Sequence, residues 1–323
     1  MGIGQRRFKA ARFSLSLLSA GILCILAAGA QARAEAPVPL GGIAVEEPGP
    51  VHLSRLDLIL TPAIIEARYQ FQNMSGEAVE KDVRFSLPPQ PVKAAQGQGG
   101  ALNRNAIGFT LSADKRFPDL EARPNAILKD VDGTVLDVTD DLTRAGILLT
   151  ADLAAIGKAA EKLDPLTRKS LVSSGILGRE GTEDAGPRWS LARHYVYRQR
   201  FPVNDIVKIE HSYRPISAQG YFQVSGLLAE KYCINDESMG MLEGKNTRSL
   251  RKRRRPLFAQ EIEYDLETAN APIAMFNLVM NPADNEAALF TCMKGVKDNG
   301  KGTYAAAYEN FTPSGPLKVL VVY

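Results

Sequence analysis

Residues 63–73 alternate with almost no fault: Ile65, Ala67, Tyr69 and Phe71 point one way, Glu66, Arg68, Gln70 and Gln72 the other. A period of two is the mark of a half-buried antiparallel strand, because successive side chains leave opposite faces of a sheet. The turn residues Asn73-Met74-Ser75-Gly76 follow, and Val83, Phe85 and Leu87 resume the alternation until Pro88-Pro89. The two runs together read as a hairpin. Residues 51–60 form a further strand ahead of it, and residues 88–100 have loop composition without periodicity.

The same period returns late in the chain. Tyr195, Tyr197 and Phe201 share one face, and Val207, Ile209, His211 and Tyr213 share the next. The segments 221–224, Gln260-to-Leu266, 273–280, 287–293 and 317–323 complete the strand-like set. Between them the period changes. Leu149, Leu153, Ile156, Ala160 and Leu163 fall on one helical stripe, and Asp164-Pro165 is a cap followed by a first-turn proline, opening a second helix that Gly175 ends. The expected fold is therefore mainly β, with antiparallel sandwich-like N- and C-terminal regions and an inserted helical pair. The expected segments are 1–34, a signal peptide; 35–138, an N-terminal β region; 139–180, the helical insertion; and 181–323, a C-terminal β region with a disulfide. At 323 residues and 45% hydrophobic, the chain is neither a mini-protein nor a disordered polymer.

Residues 1–14 are basic and residues 15–30 apolar, ending in small residues. Ala30-Gln31-Ala32 and Ala32-Arg33-Ala34 both offer small-x-small cleavage chemistry. The apolar run falls short of the roughly 20 residues that a membrane span needs. A cleaved secretory signal and a periplasmic location are expected, with processing after Ala32 or Ala34. The formal charge of +3 then changes meaning. The first 34 residues hold five basic side chains and no acid, so the remainder carries 34 basic against 36 acidic groups, a net −2. No general affinity for polyanions follows, and no nucleic acid partner is expected. Removing Cys24 leaves Cys233 and Cys292, an even pair compatible with a disulfide or with two buried thiols. No later stretch is long and apolar enough to span a bilayer.

Motifs that carry chemistry are weak. Asp130-Val131-Asp132-Gly133-Thr134 has the two-carboxylate spacing of haloacid-dehalogenase-type phosphatases, but Lys129 precedes it and Asp-Gly suits a hairpin turn better. As a calcium loop it fails, with Leu128 in the first ligand position and Thr139 where a bidentate Glu belongs. Gly295-Val296-Lys297-Asp298-Asn299-Gly300-Lys301 has phosphate-loop spacing, but Gly302 replaces the magnesium-binding Ser/Thr and a strand follows. A surface turn is expected. His52, His194 and His211 are far apart; His211 reads as a hydrogen-bonded core residue and His194 as an exposed one. No GxSxG elbow nominates a nucleophile. Catalytic residues, metal ligands and cofactors are assigned to none.

Arg248, Arg251, Lys252, Arg253, Arg254 and Arg255 place six positive charges in eight residues. Such density belongs in an exposed loop, here residues 239–256, where it meets anionic headgroups or is neutralised by Glu230, Asp236, Glu237, Glu243, Glu261 and Glu263.

Taken together, several segments carry a family resemblance. They are Leu40-Gly41-Gly42-Ile43, Arg68-Tyr69-Gln70-Phe71-Gln72-Asn73, Phe85-Ser86-Leu87-Pro88, Asp137-Val138-Thr139, Trp189, Gln199-Arg200-Phe201-Pro202, His211-Ser212-Tyr213-Arg214-Pro215, Tyr232-Cys233-Ile234, Ile262-Glu263-Tyr264 and Phe311-Thr312-Pro313. Through them the chain resembles the exported bacterial family catalogued as domain of unknown function 4424. The resemblance implies that Cys233 pairs with Cys292, and it implies no activity. Two departures stand out: residues 267–272 lack the family's Trp, and the run from Arg251 is an addition. The expected function is a non-catalytic envelope binding or interaction module, with an envelope protein or an anionic envelope lipid as candidate partner. The alternatives are an envelope hydrolase or metal-dependent enzyme, and a carrier of a small apolar ligand held between β layers.

Overall fold

The computed structural model describes residues 37–95, 103–130, 132–182, 185–223, 225–253, 255–266, 272–300 and 302–323. The expected signal peptide, residues 96–100 of the expected loop, Val131, Val224, Arg254, residues 267–271 and Lys301 lie outside them. In chain order the first strands are β1 (Leu40–Gly41), β2 (Ile43–Val45), β3 (Val51–Leu60), β4 (Ile65–Asn73) and β5 (Val79–Pro91), followed by the helical turn α1 (Val92–Ala95). Then come β6 (Thr110–Ala113), β7 (Glu121–Lys129), β8 (Val135–Asp137) and three short helices, α2 (Thr139–Arg144), α3 (Leu153–Glu161) and α4 (Pro165–Ser173). Strands β9 (Leu177–Gly178), β10 (Gly186–Pro187), β11 (Ser190–Phe201), β12 (Ile206–Tyr213) and β13 (Ala218–Tyr221) lead to helices α5 (Gly226–Tyr232) and α6 (Asp236–Arg253). The chain closes with β14 (Phe258–Asp265), β15 (Ile273–Met280), β16 (Ala288–Phe290), β17 (Lys297–Asp298), β18 (Tyr304–Phe311) and β19 (Leu317–Val322).

A seven-stranded sheet, ordered β17-β18-β15-β3-β4-β12-β6, forms one layer. Two five-stranded sheets share one core with it: β2-β5-β11-β7-β8, and β1-β14-β19-β16 with β13 also on β14. Early and late strands interleave throughout, and β15 runs parallel to β3 while most pairs are antiparallel. The alternating residues behave as their period requires. Ile65, Ala67, Tyr69 and Phe71 are buried, as are Val207, Ile209, His211 and Tyr213, while their neighbours stay at least partly exposed. Burying one large apolar side chain stabilises the fold by about 1.5–3 kcal/mol, so these faces dominate its energetics.

The expected β4–β5 hairpin does not form. β4 lies between β3 and β12, whereas β5 pairs with β2 and β11 in another sheet. Alternation specifies which face is buried, and it is silent about the neighbouring strand. The corner between the sheets is held by buried Asn73, whose amide donates to the carbonyls of Glu77 (2.8 Å) and Phe201 (3.0 Å). The expected loop at 88–100 is also corrected in part: β5 continues to Pro91 and α1 follows. Pro88 and Pro89 are tolerated because the β5–β11 register shifts opposite them, between Leu191 and Arg193, where missing N–H groups break no regular ladder.

The helical insertion holds three short helices where a pair was expected. Its capping is as the sequence indicates: Asp164 accepts from Leu166 N and Thr167 N, Pro165 occupies the first turn, and Gly175 follows the helix end at φ +74°. Ile156, Leu142 and Leu171 pack with Trp189, Leu191, Ala126 and Leu128, covering one end of β7 and β11.

Candidate functional site

Helices α5 and α6 cover the outer face of the β14–β19–β16 sheet. Ser225 caps α5 by accepting from Leu228 N, and the helix ends at Cys233, which is left-handed at φ 53°. Cys233 is disulfide-bonded to Cys292, two residues after β16, across a separation of 59 residues. The loop-entropy model gives this link about 4 kcal/mol. Beneath α5, the Lys231 ammonium contacts Glu261 (2.7 Å) and Glu263 (3.2 Å), and the Tyr232 hydroxyl donates to Glu261 (2.6 Å). Burial works against the charged ammonium, yet the two carboxylates outweigh it and lift Lys231 above its ordinary value. Burial and Glu261 both push the Tyr232 phenol upward.

Residues 239–256, expected as a loop, are largely helix α6. Asn235 accepts from Ser238 N (2.8 Å), and Asp236 and Glu237 occupy the first turn, where they complement the helix dipole as the cations do near the other end. Met239, Leu242, Asn246 and Ser249 recur at helical spacing on the covered side. Leu242 is buried against Phe222, Tyr232, Leu320 and Val322, while Asn246 accepts from Leu257 N and Ser249 donates to Arg255 O. Those two bonds tie the returning chain to the helix.

The described residues of the basic run thus lie on the last turns of a fixed helix and, for Arg255, just beyond it. Lys245, Arg248, Arg251, Lys252 and Arg255 are exposed, and none of them makes an ion pair among the described residues. Among the described residues, no acid pairs with these five side chains. Glu261 and Glu263 are engaged by Lys231, and Asp236, Glu237 and Glu243 lie in the first half of α6, without an oppositely charged residue four positions on. Of Arg253, only the backbone is described.

The three histidines occupy unrelated places. His52 is exposed on β3. His194, expected to be exposed, is half-buried, and its Nδ1 lies 2.8 Å from Ser86 Oγ across the β5–β11 ladder. Burial first, and then the Arg84 charge, lower its pKa against the opposing pull of Asp137. The sequence held no sign of this pair, because 108 residues separate its members. His211 is a core residue, as expected, but it is not hydrogen-bonded: both ring nitrogens lack a partner among the described residues. It packs against the rings of Tyr69, Tyr213, Phe85 and Phe109 at 5.5–5.9 Å, and burial pushes its pKa down to about 3. Phe85 and Phe109 stack at 3.9 Å beside it, so aromatic rings fill this part of the interlayer where a carried ligand would need space.

The phosphatase-like and phosphate-loop motifs both resolve as turns. Asp130 and Thr134 close the β7–β8 hairpin through Asp130 N to Thr134 O (2.8 Å), and Asn299 N to Thr303 O (2.9 Å) closes β17–β18. The Leu40-Gly41-Gly42-Ile43 motif has a clear structural basis. β1 belongs to one five-stranded sheet and β2 to the other, and Gly42 crosses between them over Tyr69 and Tyr264, whose hydroxyls lie 2.9 Å apart. A Cβ at Gly42 would come within 2.0 Å of the Tyr69 hydroxyl, so no larger residue fits. Tyr213 donates to Leu40 O (2.9 Å) and completes the crossing.

These features define the class: a mainly β, sandwich-like protein whose sheets carry two separate helical covers. The chain belongs to the family described as domain of unknown function (DUF4424), whose model matches residues 34–320. No curated protein matches it. Among solved structures, one from Legionella pneumophila, described as a "putative nutrient binding protein", is similar over 88% of this chain and 71% of its own, at 8% identity and a TM-score of 0.46. An M1 zinc metallopeptidase from Deinococcus radiodurans is similar over 84% of this chain and 42% of its own, at 5% identity and a TM-score of 0.26. Both likenesses are too distant to carry a function across. Among the described residues, no group of three or more His, Cys, Asp or Glu is arranged to hold a metal ion, and no helix is long and apolar enough to cross a membrane.

Proposed function

We propose that this chain is an exported, non-catalytic interaction module of the bacterial envelope. One observation carries the reading: α6 holds Lys245, Arg248, Arg251 and Lys252 exposed on a helix tied down by packing and hydrogen bonds, without ion pairs among the described residues. Like charges this close repel one another, and an anionic partner relieves that repulsion. Export is supported by the basic and apolar segments of residues 1–30 and by a disulfide of the kind that persists in oxidising compartments. The test is crosslinking in intact cells that produce the full chain, with mass spectrometry of envelope fractions. Crosslinks from Lys245 and Lys252 to a specific envelope component are expected; recovery of the protein in the cytoplasm without such crosslinks overturns the reading.

A second reading, as an envelope hydrolase, is favoured by the Ser86–His194 contact, since a neutral imidazole at 2.8 Å can accept a serine proton. Against it, Ser86 sits within the regular β5–β11 ladder, away from any strand-to-helix turn that would lift a nucleophile clear of the sheet. Labelling of Ser86 by a fluorophosphonate, lost in His194→Ala, would establish this reading, and an unlabelled serine would remove it.

A further inference from the structure

The geometry points to a membrane surface rich in anionic phospholipid as the partner of α6, an assignment that rests on the interaction-module reading and names its occupant. Met241, Lys245, Arg248 and Lys252 are spaced i, i+4, i+7 and i+11, so they share one exposed helix face, with Arg251 beside it and Arg255 just past the helix end. At 1.5 Å per residue the face is roughly 15 Å long. This is a surface rather than a pocket, suited to many headgroup phosphates and not to one enclosed anion. The carboxyl end of a helix dipole also disfavours a single phosphate seated there.

An apolar side chain accompanies the cations: Met241 is 58% exposed on the same helix face. Cations beside an exposed Met match the boundary between headgroups and acyl chains, where charge and apolar surface are both accommodated. A nucleic acid would use the cations but not Met241. Arginine adds a planar fork that matches phosphate oxygens. The covered side of α6 is fixed by Leu242, Asn246 and Ser249, so the array meets the surface without first having to be ordered.

The experiment is co-sedimentation of the full-length processed protein with vesicles of phosphatidylglycerol in phosphatidylcholine, and with phosphatidylcholine alone. Binding is expected only to the first, with release at roughly 0.5 M salt, where the Debye length falls to a few ångströms. Arg248→Gln, Arg251→Gln, Lys252→Gln and Arg255→Gln together keep helix propensity and remove four charges. About fivefold lost per cation predicts a loss of several hundredfold. A control with Lys162, Lys169, Arg179 and Lys294 changed to Gln has the same net charge and is expected to bind like the parent. Single changes at Arg248 or Arg251, each expected to cost about fivefold, keep the test sound should the fourfold variant misfold. Equal binding by parent and fourfold variant, equal loss in the control, or no binding to either vesicle overturns the lipid assignment. A crosslinked envelope protein found alongside any of these results would leave the interaction-module reading standing.

Discussion

The two helical covers of this protein are held in opposite ways. The α2–α4 insertion buries its own cluster, with Leu142 and Ile156 almost fully covered, and starts α3 and α4 with the aspartate caps Asp152 and Asp164. The α5–α6 cover buries a smaller set around Tyr232 and Leu242, and adds a disulfide, the Lys231 pair of contacts and two side-chain bonds to the return loop. An element with a sufficient apolar face needs no staple. One whose outward face is largely charged has less to bury and is fixed by specific links, which leaves that face available to a partner.

The largest expected effect separates the two covers directly. Cys233→Ser with Cys292→Ser should cost about 4 kcal/mol in denaturant unfolding, and amide exchange should accelerate in 226–253 while 139–173 stays protected. Equal acceleration in both would show that the covers are not independent. The converse is Leu142→Ala, with an expected loss of about 3 kcal/mol whose exchange signature falls on 139–173 alone.

Lys231→Met leaves Glu261 and Glu263 partly buried without their cation, at a cost of about 2 kcal/mol. The sign of its pH dependence follows from the raised folded pKa. The contribution is complete below the unfolded value of about 10.5 and is lost as pH rises through the higher folded value, so parent and variant should converge in strong alkali. Thermal unfolding as a function of pH reads this out. Asp164→Ala should cost about 1 kcal/mol through lost capping of α4, measurable by the same unfolding and absent from α5–α6 exchange. Smallest of all, Arg251→Gln should change stability by less than about 0.5 kcal/mol, since the side chain is exposed and makes no ion pair among the described residues; a large loss would mean that the basic face is structural.

Much of the strand set was legible because alternation is imposed by the sheet itself. Tyr69, Tyr197, Ile209 and Tyr264 are buried as their spacing requires. That β4 and β5 lie in different sheets was not legible, because the same alternation fits any neighbour. Helix α6 was hidden for a different reason: its covered stripe of Met239, Leu242, Asn246 and Ser249 is half polar, so the apolar period fades after one turn. A signal was nonetheless present in Asn235-Asp236-Glu237, a cap residue followed by first-turn acids, and in the high helix propensity of Arg, Lys and Leu. The Ser86–His194 pair had no local signal at all, since its members meet only through strand register.

Composition and period alone determined that the chain is mainly β, that helices interrupt the strands after Thr139, and that the phosphatase-like and phosphate-loop spacings are turns. Those are local properties, set by φ/ψ preference and by which face a side chain must hide. Tertiary structure decided which strands are neighbours, that Gly42 must pass over Tyr69 and Tyr264, that the buried His211 ring has no hydrogen-bond partner among the described residues, and that Lys245, Arg248, Arg251 and Lys252 ride on a helix while Glu261 and Glu263 engage Lys231. These depend on contacts between residues far apart in sequence, and only the closing of the layers brings them together.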